Sequence, residues 1–216
     1  MALLSLYPGQ LCLTNRPAVR DEGVACPDRI IRLFLLCLVF LWASAAAQAA
    51  EVNGAVFAEE TRVDDQRLTL RGVSLLRHLV VIKAYAGAFY LAAGQPADQA
   101  LAEVPRQLVL HYFHAIPADG FAEATTTMIK KNVTAAAFER LAPQIEELNA
   151  LYREVVPGDR YTATYRPGRG TELALNKEAL GTVPGAEFAR AFFSIWIGEN
   201  PIDKGFRDDL LGGARP

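Results

Sequence analysis

Chemistry needs titratable, nucleophilic or metal-binding side chains, and beyond residue 50 this chain offers few of them. Cys12, Cys26 and Cys37 all lie near the N-terminus, so thiol and disulfide chemistry is confined to that stretch. The histidines are His78, His111 and His114. His111 and His114 have opposite parity on an expected strand, so they face opposite sides and do not readily share a metal ion. No G-x-S-x-G is present, and Ser74 and Ser194 are the only serines after Ser44. Ser194 sits in an apolar helical run, where a hydroxyl bonds back to the preceding turn. Pro167-Gly168-Arg169-Gly170 lacks the Lys-Ser/Thr of a phosphate-binding loop and joins two strands. The residues thus nominate no catalytic group, no metal site and no cofactor.

What remains is a basic and phenolic set around one long apolar run: Arg71, Arg77, Lys83, Tyr85 and Tyr90. A planar charged donor and a neutral hydroxyl beside an apolar cleft would suit an anionic or phenolic amphiphile. The same pattern also fits a solvated turn arginine next to an ordinary strand aromatic. Thr125-Thr126-Thr127 adds hydroxyls on a helix.

The elements that must position these residues follow from hydrophobic periodicity. Gly54 to Val63 and Arg67 to Val73 read as strands separated by Asp64-Asp65-Gln66. Leu79 to Leu91 is nearly continuous in apolar residues, which suits a strand covered on both faces for part of its length. Arg106 to Ile116 is a further strand, and short turns between sequential strands imply an antiparallel sheet. Asp119 is a candidate cap for a helix over Phe121 to Asn132. A second helix, about Ala135 to Arg153, places Phe138, Leu141, Ile145, Leu148 and Tyr152 on one stripe. Arg160 to Arg166 and Thr171 to Asn176 form a hairpin. From Gly185 a helix carries Phe188, Ala191, Phe192, Ile195 and Trp196 at helical spacing, and Ile202 to Leu211 forms a terminal helix. This order predicts an α+β domain, a large antiparallel sheet with a layer of helices packed on one face.

The chain has 216 residues, 51% hydrophobic and 21% charged, with net charge −2. That excludes a disordered or collagen-like chain, and the absence of a basic excess argues against a nucleic-acid partner. Arg29 and Arg32 precede an apolar core from Leu33 to Trp42, followed by Ala47-Gln48-Ala49. This is the pattern of a secretory signal over about residues 29–49. The apolar run approaches the ~20 residues of a membrane span, but its last third is small alanine, which favours cleavage and leaves no stable span. A leader over residues 1–49 and one folded domain over 50–216 are therefore expected. Export without a cysteine in the mature domain fits a bacterial periplasmic or secreted protein. In that compartment the Asn132-Val133-Thr134 glycosylation pattern has no use. The polar, proline-containing residues 1–28 are unusual ahead of such a signal, and suggest a true start further along, at a codon such as that of Val24.

Several motifs in order resemble the chalcone isomerase-like family, specifically its exported bacterial branch. They are Leu70-Arg71-Gly72 leading through Arg77 into the segment Ile82 to Leu91; Pro157-Gly158-Asp159; Tyr165 to Thr171; Gly185-Ala186-Glu187-Phe188-Ala189; and Ser194-Ile195-Trp196-Ile197-Gly198. The resemblance runs from about Val52 to Gly212. It implies an open-faced β-sandwich, a large antiparallel sheet with helices. Plant enzymes of the family cyclise chalcones, using an Arg, a Thr and a Tyr around the developing enolate oxygen, with an Asn and a Ser/Thr contacting the phenol. Here the Arg corresponds to Arg77, with Arg71 as the alternative, the Thr to Tyr85 and the Asn to Asn132. The catalytic Tyr falls near Thr125 and the Ser/Thr at Ala189. An Arg with a Tyr is similar instead to the non-catalytic fatty-acid-binding members, where the pair holds a carboxylate. The resemblance therefore implies a cofactor-free domain that binds a small amphipathic molecule, fatty acid or phenolic, through Arg77, Tyr85 and Asn132. Two other readings are kept: an intramolecular lyase or isomerase acting on an enone, and a structural envelope protein without a ligand.

Overall fold

The computed structural model describes residues 49–78 and 82–213. The chain separates into two units, residues 1–46 and 47–216, and the described residues lie in the second. The signal-type segment falls outside the described residues except for Ala49. Among the described residues no helix is long and apolar enough to cross a membrane.

Nine strands are described. A small hairpin pairs β1 (Ala49–Val52) with β2 (Ala55–Ala58). The main sheet is antiparallel and runs in sequence order: β3 (Glu60–Val63), β4 (Gln66–His78), β5 (Ile82–Ala92), β6 (Arg106–Tyr112), β7 (Arg160–Arg166), β8 (Gly170–Leu175) and β9 (Glu178–Val183). The helices are α1 (Ala118–Asn132), α2 (Ala135–Leu151), α3 (Ala186–Ile197) and α4 (Lys204–Leu210). The α+β class expected from the order of elements is the one observed.

Alternation on β6 shows how the layers form. Leu108, Leu110 and Tyr112 are buried in the core shared with the helices, while Gln107, Val109 and His111 face the other side half-buried. β5 is buried on both faces. Its Tyr85, Phe89 and Leu91 join the helix-side core, and its Ala86, Ala88 and Tyr90 join a second core with Ala55 and Phe57 of the hairpin. This is why that segment reads as continuously apolar.

Several local expectations differ from the structure. The expected strand over 54–63 is broken at Glu59, because its first part folds back on β1 and its second part pairs with β4. β4 extends to His78, so Arg77 is a strand residue and not a turn residue. β9 carries no clear alternation, since it is an edge strand with little to bury. The cap of α1 is Pro117; Asp119 lies inside the first turn, where it favours the helix dipole. Thr134 caps α2 by accepting from the Ala137 N–H. The terminal helix begins at Lys204, capped by Asp203 accepting from the Phe206 N–H at 2.7 Å, and leaves Ile202 outside.

Two close approaches dock α4 onto the sheet. A Cβ at Gly72 would collide with the Asp209 carbonyl, and one at Gly87 would meet the Phe206 ring. Ser74 adds a 2.8 Å hydrogen bond donated to Asp209 Oδ2. At the start of β6 the Arg106 guanidinium is buried between the rings of Tyr165 (4.4 Å) and Phe193 (4.7 Å). Burial lowers its pKa to about 10, and the two ring faces attract the cation, which has no carboxylate partner among the described residues.

Candidate functional site

Between the sheet and the helices lies a cavity of about 140 Å³. Its sheet wall comes from the helix-facing positions of consecutive strands: Tyr85 on β5, Leu108, Leu110 and Tyr112 on β6, Tyr161 and Ala163 on β7, and Leu173 on β8. Its other wall comes from Phe121, Thr125 and Met128 of α1, Tyr152 at the end of α2, and Phe192, Ile195 and Trp196 of α3. Among the described residues no charged side chain lines it. Ile202, in the loop between α3 and α4, also lines the cavity and is 40% exposed, so the cavity opens on that side.

The polar atoms are hydroxyls and one indole N–H. Trp196 Nε1 donates to Tyr85 Oη at 3.0 Å. Thr125 Oγ1 and Tyr152 Oη share a 2.7 Å hydrogen bond. Tyr161 Oη accepts from the Arg153 N–H at 2.7 Å and donates to the Arg153 carbonyl at 2.8 Å. Tyr112 is 3% exposed, and its hydroxyl makes no hydrogen bond among the described residues. Its ring is held edge-on to Phe121 (5.4 Å) and Tyr161 (6.1 Å) and tilted against Tyr85 (5.4 Å).

Burial pushes the phenols of Tyr85, Tyr112, Tyr152 and Tyr161 above the ordinary range. For Tyr85 the Trp196 bond opposes that shift, and for Tyr152 the Thr125 bond does. These groups are therefore neutral hydrogen-bond donors and acceptors. Among the described residues no carboxylate, imidazole or amine lies on the wall to act as a general base. The arrangement can enclose an apolar group and hydrogen-bond a neutral oxygen, whereas an unpaired carboxylate inside it would carry a large desolvation penalty.

Of the residues singled out in the sequence, Tyr85 lines the cavity. Arg77 is exposed on β4, paired in register with Lys83 and next to Leu76, the partner of Tyr85. Asn132 ends α1 and does not line the cavity. Its Nδ2 donates to the Met128 and Asn200 carbonyls at 3.0 and 2.9 Å, and its Oδ1 accepts from the Asn200 N–H at 3.2 Å. This clasp holds the loop that carries Ile202, so Asn132 reaches the cavity only through that loop.

Tyr112, Tyr152, Tyr161 and Trp196 also line the cavity, and no motif in the sequence marks them as site residues. Their signal was present as parity and stripe: Tyr112 shares the buried parity of Leu108 and Leu110, and Tyr152 and Trp196 lie on the apolar stripes of their helices. Such positions read as core, and only the packing shows that a cavity separates them. At Thr125, where the resemblance places a tyrosine, the hydroxyl of Tyr152 arrives from a different helix.

A family model described as chalcone isomerase-like matches residues 49–212. No curated protein sequence matches. Among solved structures, the crystal structure of a fatty-acid binding protein from Arabidopsis thaliana superposes with a TM-score of 0.61 at 19% identity, covering 76% of this chain and 96% of that one.

Proposed function

The chain belongs to the chalcone isomerase-like family, and from that premise we propose that it binds a small amphipathic ligand such as a fatty acid, without a cofactor and without transforming it. The observation that carries this reading is the cavity between sheet and helices, walled by apolar side chains and neutral hydroxyls. The similarity to a plant fatty-acid binding protein supports it. At about 140 Å³ the cavity is close to one that admits a single benzene ring. It takes the end of an alkyl chain, each buried methylene contributing ~0.8 kcal/mol. The carboxylate stays at the cavity mouth, where Arg77 is its charged partner and the Tyr85 hydroxyl its neutral one. We also propose that residues 29–49 direct export and that the domain beyond them works in a bacterial periplasm or outside the cell.

Native mass spectrometry of gently purified protein, followed by titration with octanoate, tests this reading. A co-purifying lipid and saturable octanoate binding are expected; neither mass adduct nor binding would remove it.

A second reading, an isomerase acting on an enone, is favoured by the hydroxyls of Tyr85, Tyr112 and Tyr152 lining one cavity, since neutral donors of this kind stabilise an enolate oxygen. Incubation with a chalcone separates the two: loss of its long-wavelength absorbance faster than in buffer establishes the isomerase, and an unchanged rate excludes it.

A further inference from the structure

The sheet has a second, concave face. It curls until β3, at one edge, comes close to β7 and β8: Asp64 in the β3–β4 turn lies 3.5 Å from Arg166 Nε and 3.3 Å from Arg169 Nη1, at the β7–β8 turn. The β1–β2 hairpin covers part of the remainder. Arg160 Nη2 donates to the Val56 carbonyl at 3.0 Å, its guanidinium lies 5.1 Å from the Phe57 ring, and Tyr90 Oη donates to the Ala58 carbonyl at 2.9 Å. Between them is a cleft of about 570 Å³, a size common for ligand sites. It is distinct from the first cavity: on β6 Gln107 and Val109 line it, whereas Leu108 and Leu110 line the other.

An open face of an antiparallel sheet is ordinarily polar because water covers it. This one departs from that pattern in two ways. Its floor is enclosed, with Thr164 only 2% exposed and accepting from Gln107 Nε2 at 2.9 Å. Its charges are also unbalanced. Glu60 is paired with Arg67 at 3.2 Å and Glu172 with Arg166 at 3.3 Å. Arg62, Arg160 and Lys177 line the cleft with no carboxylate partner among the described residues. Arg160 instead donates through Nε to His111 Nδ1 at 3.2 Å. His111 is held below the usual imidazole range by burial and by that same arginine.

We infer that this concave cleft binds a small polyhydroxylated anion, an acidic sugar or a sugar phosphate. Arg62, Arg160 and Lys177 meet its carboxylate or phosphate, and Thr162, Thr164 and Gln107 meet its hydroxyls. Both anion types present the same chemistry to these side chains, so the two sources are separated by experiment.

The test is calorimetric titration of the protein with glucuronate, glucose 6-phosphate and glucose. Saturable binding of at least one anion is expected, with glucose weaker by about tenfold or more; the anion that binds identifies the source. The double variant Arg62→Ala, Lys177→Asn should weaken that binding about tenfold with an unchanged unfolding midpoint. Both positions are exposed, and asparagine tolerates the positive φ of 74° at Lys177. The inference is overturned if neither anion saturates, if glucose binds equally well, or if the folded double variant binds as the parent does.

Discussion

The hydroxyl of Tyr85 on β5 accepts a 3.0 Å hydrogen bond from the indole N–H of Trp196 on α3, across 111 residues of chain. Both side chains are buried and both line the cavity. The bond joins the sheet wall to the helix wall and sets how far apart they stand.

Removing that hydroxyl strands a buried donor. Tyr85→Phe leaves Trp196 Nε1 unpaired, which costs about 1–3 kcal/mol. Urea unfolding should show a lower midpoint with an unchanged slope. Trp196→Phe removes the donor as well, so the double variant should lose less than the sum of the two single losses.

Arg77 is exposed, so Arg77→Ala should leave folding stability within about 0.5 kcal/mol of the parent. Under the ligand reading above, octanoate affinity should fall about tenfold or more, while octanol, which lacks the charge, should bind unchanged. Equal octanoate affinity in parent and variant would remove Arg77 from the site.

Asn132 grips Asn200 through both ends of its amide. Asn132→Ala should lower stability by about 1–2 kcal/mol and speed amide exchange in residues 198–203, the loop bearing Ile202. If exchange there is unchanged, the clasp does not hold that loop.

The approach of α4 to β4 leaves no space for a side chain at Gly72. Gly72→Ala must push the Asp209 backbone away and should cost about 1–3 kcal/mol or more. Thermal unfolding measures this directly, and Gly94→Ala, at a turn glycine with open space around it, serves as the comparison for backbone strain alone.

All the described tyrosines have raised pKa values, chiefly from burial, with Tyr90 at about 12. The folded chain therefore keeps phenol protons that the unfolded chain releases from about pH 10. The associated stability is complete below that pH and is lost as pH rises through the higher folded values. Unfolding free energy should be flat from pH 8 to about 10 and fall above it, and the phenolate absorbance of these residues should appear together with unfolding.

Much of the fold was legible because its signals are local. The run from Arg106 to Ile116 marked a strand, which ends at Tyr112, the apolar stripe on α2 marked a helix lying on a core, and the nearly unbroken run ending at Leu91 marked a strand buried on both faces for part of its length. β9 and the small β1–β2 hairpin were not legible. Neither has an alternation strong enough to announce itself, and both owe their pairing to strands already in place.

The candidate site divides along the same line. Residue types alone determined that the domain beyond residue 50 has no thiol and that an arginine and tyrosines surround its long strand. Periodicity determined that Tyr85 and Tyr90 share one long strand. Tertiary structure decided that Tyr85, Tyr112, Thr125, Tyr152 and Trp196 share one cavity, that Asn132 is tied to Asn200 instead, and that the sheet curls far enough to make a second, basic cleft. The physical reason is that periodicity reports which way a side chain points from its own element, whereas a cavity exists only where several elements fail to fill the space between them, a balance of packing that no single segment records.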